Sequence, residues 1–553
     1  MRRIIAILVL SVQLSLWGQP ATEDKQGVAL LIQTNTQQLL PGEYLYYSIQ
    51  FKGPSIENPL ERQAQLAYIA LADSQGKTHA VQQILLEQIG QNYEGQGELF
   101  IPTSLATGGY NLVGYTPQML DRPSQELHQT PIAILNPYST SRSGEIIEIH
   151  PPTEIKATPF IQTPIQGSPN QWIPFELPPN FPQQGRYKLS VKKISTLQTE
   201  AFFKENKEVE TPEIKPQNNT RTKTQGGISG RLISNRKPID GVSVALSFVG
   251  PNMPFKLTTT NTEGRFNFPL LATVNSPQAV LQVWNDHPAD FQMVLDSFPR
   301  PTKERLKKVA LRLYSSDLES LKNRSIHNQI ENAFNPYKQD SIPLENRPMS
   351  RLDAFEMNTY TLEEYSRFSS FEETIFEIVR EGSYKKTKAD RAVLFVKNVV
   401  RNVAVAAPVL LLIDGIPVPD HNAFRRYPAS EIEKISVSRQ QLVMGNQIWN
   451  GLVYVQTKEG IPKTYLNQKN IEIRNLELPR LKKKYYQQPK NAPNYIPNYA
   501  HTLVWLPNQS TADLRAFKGF KAPDMEGRFE LSIEGEDQAG RTYSFRNIYK
   551  ITN

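Results

Sequence analysis

Apolar and polar residues alternate along much of this chain, and turn residues interrupt the alternation at short intervals. The period-two pattern is clear at residues 44–51 and 67–71, and it returns at 185–191 and 242–246. Alternation of this kind predicts β-strands that bury one face and expose the other. Because many short strands follow one another between glycine and proline turns, the pattern favours β-sandwich modules.

One region breaks this pattern and shows the spacing of a helix. The sequence from Ser370 fits a capping box, and Phe371 starts a series of apolar residues at helical spacing. We therefore expect a helix over residues 371–380, packed on a sheet. That sheet is predicted by residues 391–396 and by the apolar run 409–413, which is typical of a strand buried on both faces.

Composition narrows the fold class and the chemistry. The chain has 553 residues, enough for roughly three to five domains. Its 42 prolines break long helices and suit turns and strand edges, which strengthens the β prediction. Cysteine is absent, which excludes disulfides, thiolate metal sites and cysteine nucleophiles. The formal net charge of +8 is a mild excess for this length.

The amino terminus has the pattern of an export signal. Arg2 and Arg3 precede an apolar run at residues 4–16, and a small residue, Gly18, follows it. This predicts a secretory signal peptide over residues 1–19, with a buried amino-terminal helix as the alternative. No later stretch approaches 18 uncharged apolar residues, so we expect no transmembrane segment of the chain's own.

Two sandwich modules resemble known families. The Pro41-Gly42-Glu43 turn and the glycine-tyrosine strand at 108–116 resemble the MG2-type macroglobulin-like domain, over residues 20–137. An unrelated immunoglobulin-like sandwich would show similar alternation.

The second of these modules covers residues 226–294. Its valine-rich strand and its Asp240-Gly241 and Glu263-Gly264 turns, which we expect to close hairpins, resemble the carboxypeptidase-regulatory-like domain. That family resemblance implies a small β-sandwich without a peptidase centre.

The most specific resemblance covers residues 351–462. A leucine-rich strand ends in an aspartate-glycine reversal, an isoleucine-glutamate-x-isoleucine step follows, and a last strand ends in threonine-lysine-x-glycine. This ordered set resembles the plug domain of TonB-dependent outer-membrane receptors, although an unrelated α+β domain with similar turns is the alternative. The residues that carry the motif, in a structural role, are Asp414, Gly415, Pro417, Ile432, Glu433, Ile435, Gly451, Thr457, Lys458 and Gly460.

The rest of the chain is assigned around these modules. Residues 138–225 are expected to form a small β module and a polar linker, and 295–350 a connecting segment. The segment 300–312 is basic, which fits either an anionic partner or, more simply, a solvated face. Residues 463–553 are expected to form a C-terminal β module. The fold prediction is thus mainly β: tandem β-sandwich domains, then an α+β plug-like domain and a C-terminal β module.

The tail after the plug-like module bears on function. A receptor's plug is followed by a membrane barrel, but only 93 residues follow Gly460. Because the smallest outer-membrane barrels need about eight strands of roughly ten residues, we expect a plug-like domain without its own barrel.

No catalytic or metal-binding pattern stands out in the sequence. The seven histidines are scattered singly, and no phosphate loop, dinucleotide fingerprint or nucleophile elbow occurs. Ser190 and Lys193 match a serine-x-x-lysine pattern, but they lie in a predicted strand and its companion motifs are missing. We therefore expect no catalytic residues, no metal and no cofactor.

These expectations define a hypothesis about function. We expect a non-enzymatic cell-envelope binding or scaffold protein, exported to the periplasm or associated with the outer membrane. Its expected partner is an envelope protein, such as an outer-membrane β-barrel, and not nucleic acid. One alternative is a plug or regulatory subunit that acts in trans on an uptake or secretion barrel. A second is a protease trap, although the thioester of such traps needs a cysteine.

Overall fold

The computed structural model describes residues 29–52, 65–89, 92–120, 127–150, 165–204, 228–234, 237–248, 255–268, 278–284, 291–343, 355–386, 392–397, 409–444 and 447–552. Within these residues the chain is mainly β and contains several sheets, as the alternation predicts. The predicted signal peptide, residues 1–19, lies outside the described residues.

The amino-terminal part forms a β-sandwich around one apolar core. Its strands are β1 Ala29–Thr34, β2 Gln38–Leu39, β3 Tyr44–Lys52, β4 Gln65–Asp73, β5 Thr78–Ile89, β6 Asn92–Phe100, β7 Thr107–Tyr115, β8 His128–Ile134 and β9 Arg142–Ser143, with a short helix α1 Pro117–Leu120. The strand order is β1-β3-β6-β5-β4-β7-β8-β2, and β9 pairs with β7. The long strand β5 pairs with β4 and, through its last residues, with β6, and so connects the two faces of the sandwich.

The next strands are short and find their partners far away in the sequence. They are β10 Glu145–Ile149, β11 Ile165–Gly167, β12 Trp172–Pro174, β13 Gly185–Lys193 and β14 Glu200–Phe203. Both β10 and β14 pair with a strand more than a hundred residues later, β22, which is described below. Residues 138–225 therefore contribute strands to sheets that they complete together with other regions.

The module that resembles the carboxypeptidase-regulatory-like domain consists of two small sheets. Its strands are β15 Ile228–Ser234, β16 Lys237–Pro238, β17 Ser243–Phe248, β18 Lys256–Thr259, β19 Arg265–Phe268, β20 Gln278–Trp284 and β21 Gln292–Leu295. One sheet holds β16, β15, β19 and β21, and the other holds β18, β17 and β20.

The two glycine turns of this module do not close hairpins, so that expectation is wrong. Gly241 and Gly264 do adopt positive φ, at 71° and 70°. However, the strands on either side of each turn belong to opposite sheets. A left-handed glycine reverses the chain locally, but packing across the sandwich decides which strand becomes the neighbour.

The predicted connecting segment contains regular structure that the sequence did not reveal. It forms β22 Val309–Tyr314 and the helix α2 Leu318–Ala333. The helix is polar, and the residues that it buries are Arg324 and Ser325. One residue of the basic stretch, Arg312, has partners within the chain. Its guanidinium donates to Glu200 at 2.5 Å and lies 4.0 Å from the Phe202 ring centroid.

The plug-like region is a mixed α+β unit. Its elements are β23 Asn358–Thr361, α3 Phe371–Glu377, β24 Gly382–Lys386, β25 Ala392–Val396, β26 Leu410–Ile413, β27 Ile416–Pro417, α4 His421–Phe424, β28 Ile432–Met444, β29 Gln447–Thr457 and α5 Lys463–Leu466. The sheet order is β23-β28-β29-β26-β27, with β26 parallel to β29. The predicted helix is confirmed, and the Ser370 side chain caps it by accepting from the Glu373 amide. All four residues of β26 are buried, as its apolar run predicts.

The C-terminal residues complete sheets that begin earlier in the chain. Their elements are β30 Ile471–Asn475, β31 Thr502–Ser510, α6 Thr511–Ala516, β32 Gly519–Lys521, β33 Gly527–Asp537 and β34 Thr542–Ile551. The five-stranded sheet β11-β34-β33-β13-β31 unites them with residues 165–193, and β30 extends the β17–β20 sheet. Strands that the sequence analysis assigned to separate modules therefore share one sheet and one core.

Candidate functional site

Asp414, Gly415 and Thr457 of the plug-like motif meet at one tight turn. Asp414 and Gly415 have φ values of 48° and 86° and join β26 to β27. The buried Asp414 carboxylate accepts from the Thr457 amide at 2.9 Å and from the Thr457 hydroxyl at 2.6 Å. Burial raises the pKa of Asp414, and these two hydrogen bonds oppose the rise. The aspartate therefore holds the end of β29 as well as forming the turn.

The other motif residues support the same sheet. Ile432 and Ile435 are core residues of β28, and Ile432 lies opposite Thr457 in the pairing of β28 with β29. The Lys458 amide donates to the Glu431 carbonyl at 2.9 Å, and the Pro417 carbonyl accepts from the Tyr465 hydroxyl at 3.0 Å.

Three motif residues complete this account. Glu433 accepts from the Gln456 side chain at 3.1 Å, Gly451 lies within β29 and Gly460 follows it. The contacts of Asp414, Glu433 and Thr457 hold the turn and the pairing of β28 with β29 together.

A large cavity lies elsewhere in the described part of the chain, where several regions of the sequence meet. It is a cleft of about 990 Å³. One wall is the Leu40–Glu43 turn with the start of β3, a second is α2 and the residues after it, and the third comes from the ends of β13 and β31. The walls are polar, and charged side chains such as Glu43, Glu98, Lys193, Arg324 and Lys338 line them.

The turn at the rim of the cleft is held by α2. Arg324 Nε donates to Glu43 Oε1 at 2.7 Å, and its Nη2 donates to Glu43 Oε2 at 2.8 Å and to the Gln38 carbonyl at 2.7 Å. One turn further along the helix, Asn328 donates to the Pro41 carbonyl at 2.8 Å. The proline-glycine-glutamate turn therefore has a bidentate, largely buried partner in a helix almost 300 residues away.

One end of the cleft carries acidic groups and tyrosines. Lys483 Nζ donates to Glu98 Oε1 at 2.6 Å, whereas Glu98 Oε2 is buried without a hydrogen-bond partner among the described residues. The Tyr46 ring meets the edge of the Tyr485 ring at a centroid distance of 4.9 Å. Burial raises the pKa of Tyr46 above its ordinary value, and the charges of Asp340 and Glu98 raise it further.

Another part of the cleft contains Lys193, Arg324 and His501, and the His327 ring packs beside His501; we call these four residues the basic corner. The two imidazole rings lie 5.8 Å apart between centroids, and each has one buried nitrogen without a partner among the described residues. Burial, with the charges of Arg324 and Lys193, lowers the pKa of His501 to about 2. Burial and Lys193 also lower the pKa of His327. Both imidazoles are therefore neutral at pH 7.

Lys193 is the least compensated charge of the basic corner. Its Nζ lies 3.4 Å from the Met525 sulfur, a weak acceptor, and no described carboxylate forms an ion pair with it. Burial and the nearby Arg324 lower its pKa. The serine-x-x-lysine pattern has no reactive geometry, because the Ser190 hydroxyl is buried against Ser532 at 2.9 Å.

The sequence analysis did not find this cleft. Its residues come from segments around positions 40, 193, 324 and 500, and no local motif connects them. The one usable signal was the proline-glycine-glutamate turn, whose glutamate side chain needs a partner that a single sequence does not identify.

Comparisons with known proteins give weak similarities. No protein-family model matches the sequence, and no curated protein matches it. The structure resembles Salmonella alpha-2-macroglobulin reacted with methylamine at 8% identity over 95% of this chain and 23% of that chain, with a TM-score of 0.15. The native conformation of E. coli alpha-2-macroglobulin gives 8% identity, 95% and 22% coverage and a TM-score of 0.15.

A partial similarity involves a β-glucosidase from Listeria innocua in complex with isofagomine, at 15% identity, 20% and 16% coverage and a TM-score of 0.15. The chain spans less than a quarter of the length of each of these proteins. The result is a weak structural similarity to bacterial alpha-2-macroglobulin over most of the chain, and TM-scores this low do not establish a shared fold.

Proposed function

We propose that this chain is a non-enzymatic binding or scaffold protein of the cell envelope and that the cleft holds part of its partner. The observation that carries the proposal is the cleft itself, about 990 Å³ in volume and lined by charged side chains from several regions of the sequence. Ligand sites are typically concave, of about 300–1,000 Å³, and largely pre-formed. Location in the envelope is proposed from the signal-peptide pattern of residues 1–19.

The walls of the cleft suit recognition because the structure already fixes them. Arg324 and Asn328 hold one wall against the other through the Leu40–Glu43 turn. Lys338 is fixed by Glu331 at 2.5 Å and by the Pro497 carbonyl at 2.6 Å. Side chains that are ordered before binding lose less conformational entropy when a partner binds. A cleft with such side chains therefore binds more tightly than one whose side chains become ordered only in the complex.

The test is capture of an envelope partner by wild type and by a variant with a blocked cleft. Gln339 is exposed at the cleft, and Gln339→Trp narrows it. Lys322→Trp, exposed on α2 but outside the cleft lining, is the matched control. We expect partner proteins from detergent-solubilised envelopes to be lost with Gln339→Trp and retained with Lys322→Trp. Equal capture by both variants, or hydrolase activity in the purified chain, would contradict the proposal.

A second candidate is a plug or regulatory subunit that contacts an outer-membrane barrel in trans, and one feature of the plug-like region favours it. Val443 and Ile448 lie opposite one another near the end of the β28–β29 hairpin and are 61% and 52% exposed. Contiguous apolar surface that is exposed to solvent marks protein–protein contact sites, and this pair would belong to such a surface. Co-purification with a barrel protein that is abolished by Val443→Glu supports this candidate, and unchanged co-purification counts against it.

No described helix has both the length and the apolar character needed to cross a membrane.

A further inference from the structure

We infer that the basic corner of the cleft binds an oxyanion, a carboxylate or phosphate group carried by the partner. The inference rests on the proposed function, because it assigns a ligand chemistry to the same cleft. Its basis is a charge imbalance at Lys193, together with the unpaired nitrogens of His327 and His501.

The basic side chains of the cleft differ in how their charges are compensated. Arg324 is neutralised by Glu43 at 2.7 Å, and Lys338 by Glu331 at 2.5 Å. Lys193 Nζ has only the Met525 sulfur as a described partner. A partly buried ammonium group without a counter-charge is costly for a folded protein. An anion that enters the cleft removes this cost, which is a direct source of binding free energy.

The same charges decide between an anion and a metal ion. Two imidazoles 5.8 Å apart with free nitrogens could by themselves suggest a divalent cation. However, Lys193, whose charge helps to depress the pKa of His501, has no counter-charge among the described residues and would repel a metal cation. An oxyanion is attracted by this uncompensated charge, and each neutral imidazole carries one N–H that favours negative charge nearby.

The experiment titrates the full chain with inorganic phosphate and, separately, with succinate. Calorimetry measures affinity, and NMR follows the ring protons of His327 and His501. We expect saturable binding of at least one anion, with an upward shift of both histidine pKa values, because the bound charge offsets Lys193. Saturation by phosphate alone assigns a phosphate group, and saturation by succinate assigns a carboxylate.

Variants then locate the site. Lys193→Met keeps the length and the apolar stem of the side chain but removes the charge, and it should weaken binding at least about tenfold. Lys188→Met, which removes a lysine outside the cleft lining that is paired with Glu534, should change affinity by less than about twofold. Lys193→Gln is the second variant, and circular dichroism checks that each variant is folded.

Three results overturn the inference: neither anion binds, Lys193→Met and Lys193→Gln bind as wild type does, or Lys188→Met loses as much affinity as Lys193→Met. The proposed function fails differently. If partner capture is lost with Gln339→Trp but unaffected by Lys193→Met, the cleft binds its partner without an oxyanion in the basic corner.

Discussion

The contact between Arg324 and Glu43 joins the amino-terminal sandwich to α2, and Arg324→Met removes it while keeping an apolar stem. The two side chains are 7% and 13% exposed. The substitution abolishes three hydrogen bonds of the guanidinium group, two to Glu43 and one to the Gln38 carbonyl. Breaking a buried pair typically costs about 3–5 kcal/mol, since a charge is left without compensation. In Arg324→Met, Glu43 still accepts a hydrogen bond from the Leu40 amide and faces the cleft. We therefore expect the free energy of unfolding to fall by about 3 kcal/mol, at the lower end of this range.

The assay is denaturant unfolding of both single variants and the double variant with Glu43→Gln. We expect a coupling of about 2 kcal/mol, because each substitution removes the partner of the other. Hydrogen exchange of the Leu40 amide, which bonds Glu43 at 2.9 Å, should accelerate in Arg324→Met. Arg142→Met is the control, since Arg142 is 58% exposed beside Glu148 and should cost less than about 1 kcal/mol. Equal losses for Arg324→Met and Arg142→Met would refute the reasoning.

Three further predictions concern other parts of the molecule. Thr457→Val deletes the hydroxyl bond to the buried Asp414 carboxylate and should lower the free energy of unfolding by about 1–3 kcal/mol, measured by urea unfolding. The folded state holds the pKa of His501 at about 2, so only the unfolded chain binds a proton at this imidazole as pH falls below about 6.5. The free energy of unfolding should therefore drop by about 2 kcal/mol between about pH 7 and about pH 5. The drop should be smaller in His501→Gln. Gly264→Ala should lower the free energy of unfolding by at least about 2 kcal/mol, and Gly241→Ala by about 1 kcal/mol. Both glycines have positive φ, but only the methyl group at position 264 would lie 2.5 Å from a backbone oxygen. Thermal unfolding of the two variants measures this order.

The sequence by itself determined what depends on neighbouring residues. Alternation predicted strands such as β3, β4 and β13, the run before Asp414 predicted a strand buried on both faces, and the serine at 370 predicted the start of α3. The Asp414-Gly415 reversal was also readable, because its backbone angles depend on the residues that occupy the turn. These properties depend on residues that are close in the sequence, so a single amino-acid sequence is enough to infer them.

Only the tertiary structure decided which strands became neighbours and where the cleft lies. β13 pairs with strands more than 300 residues later, and α2 is polar because its buried side uses Arg324 to bind a distant turn instead of packing apolar residues. Alternation shows that a strand has a face to bury but not which partner will cover it. The basic corner exists for the same reason: Lys193, His327 and His501 are remote in sequence, and their charges and pKa values interact only after the sheets and helix have packed together.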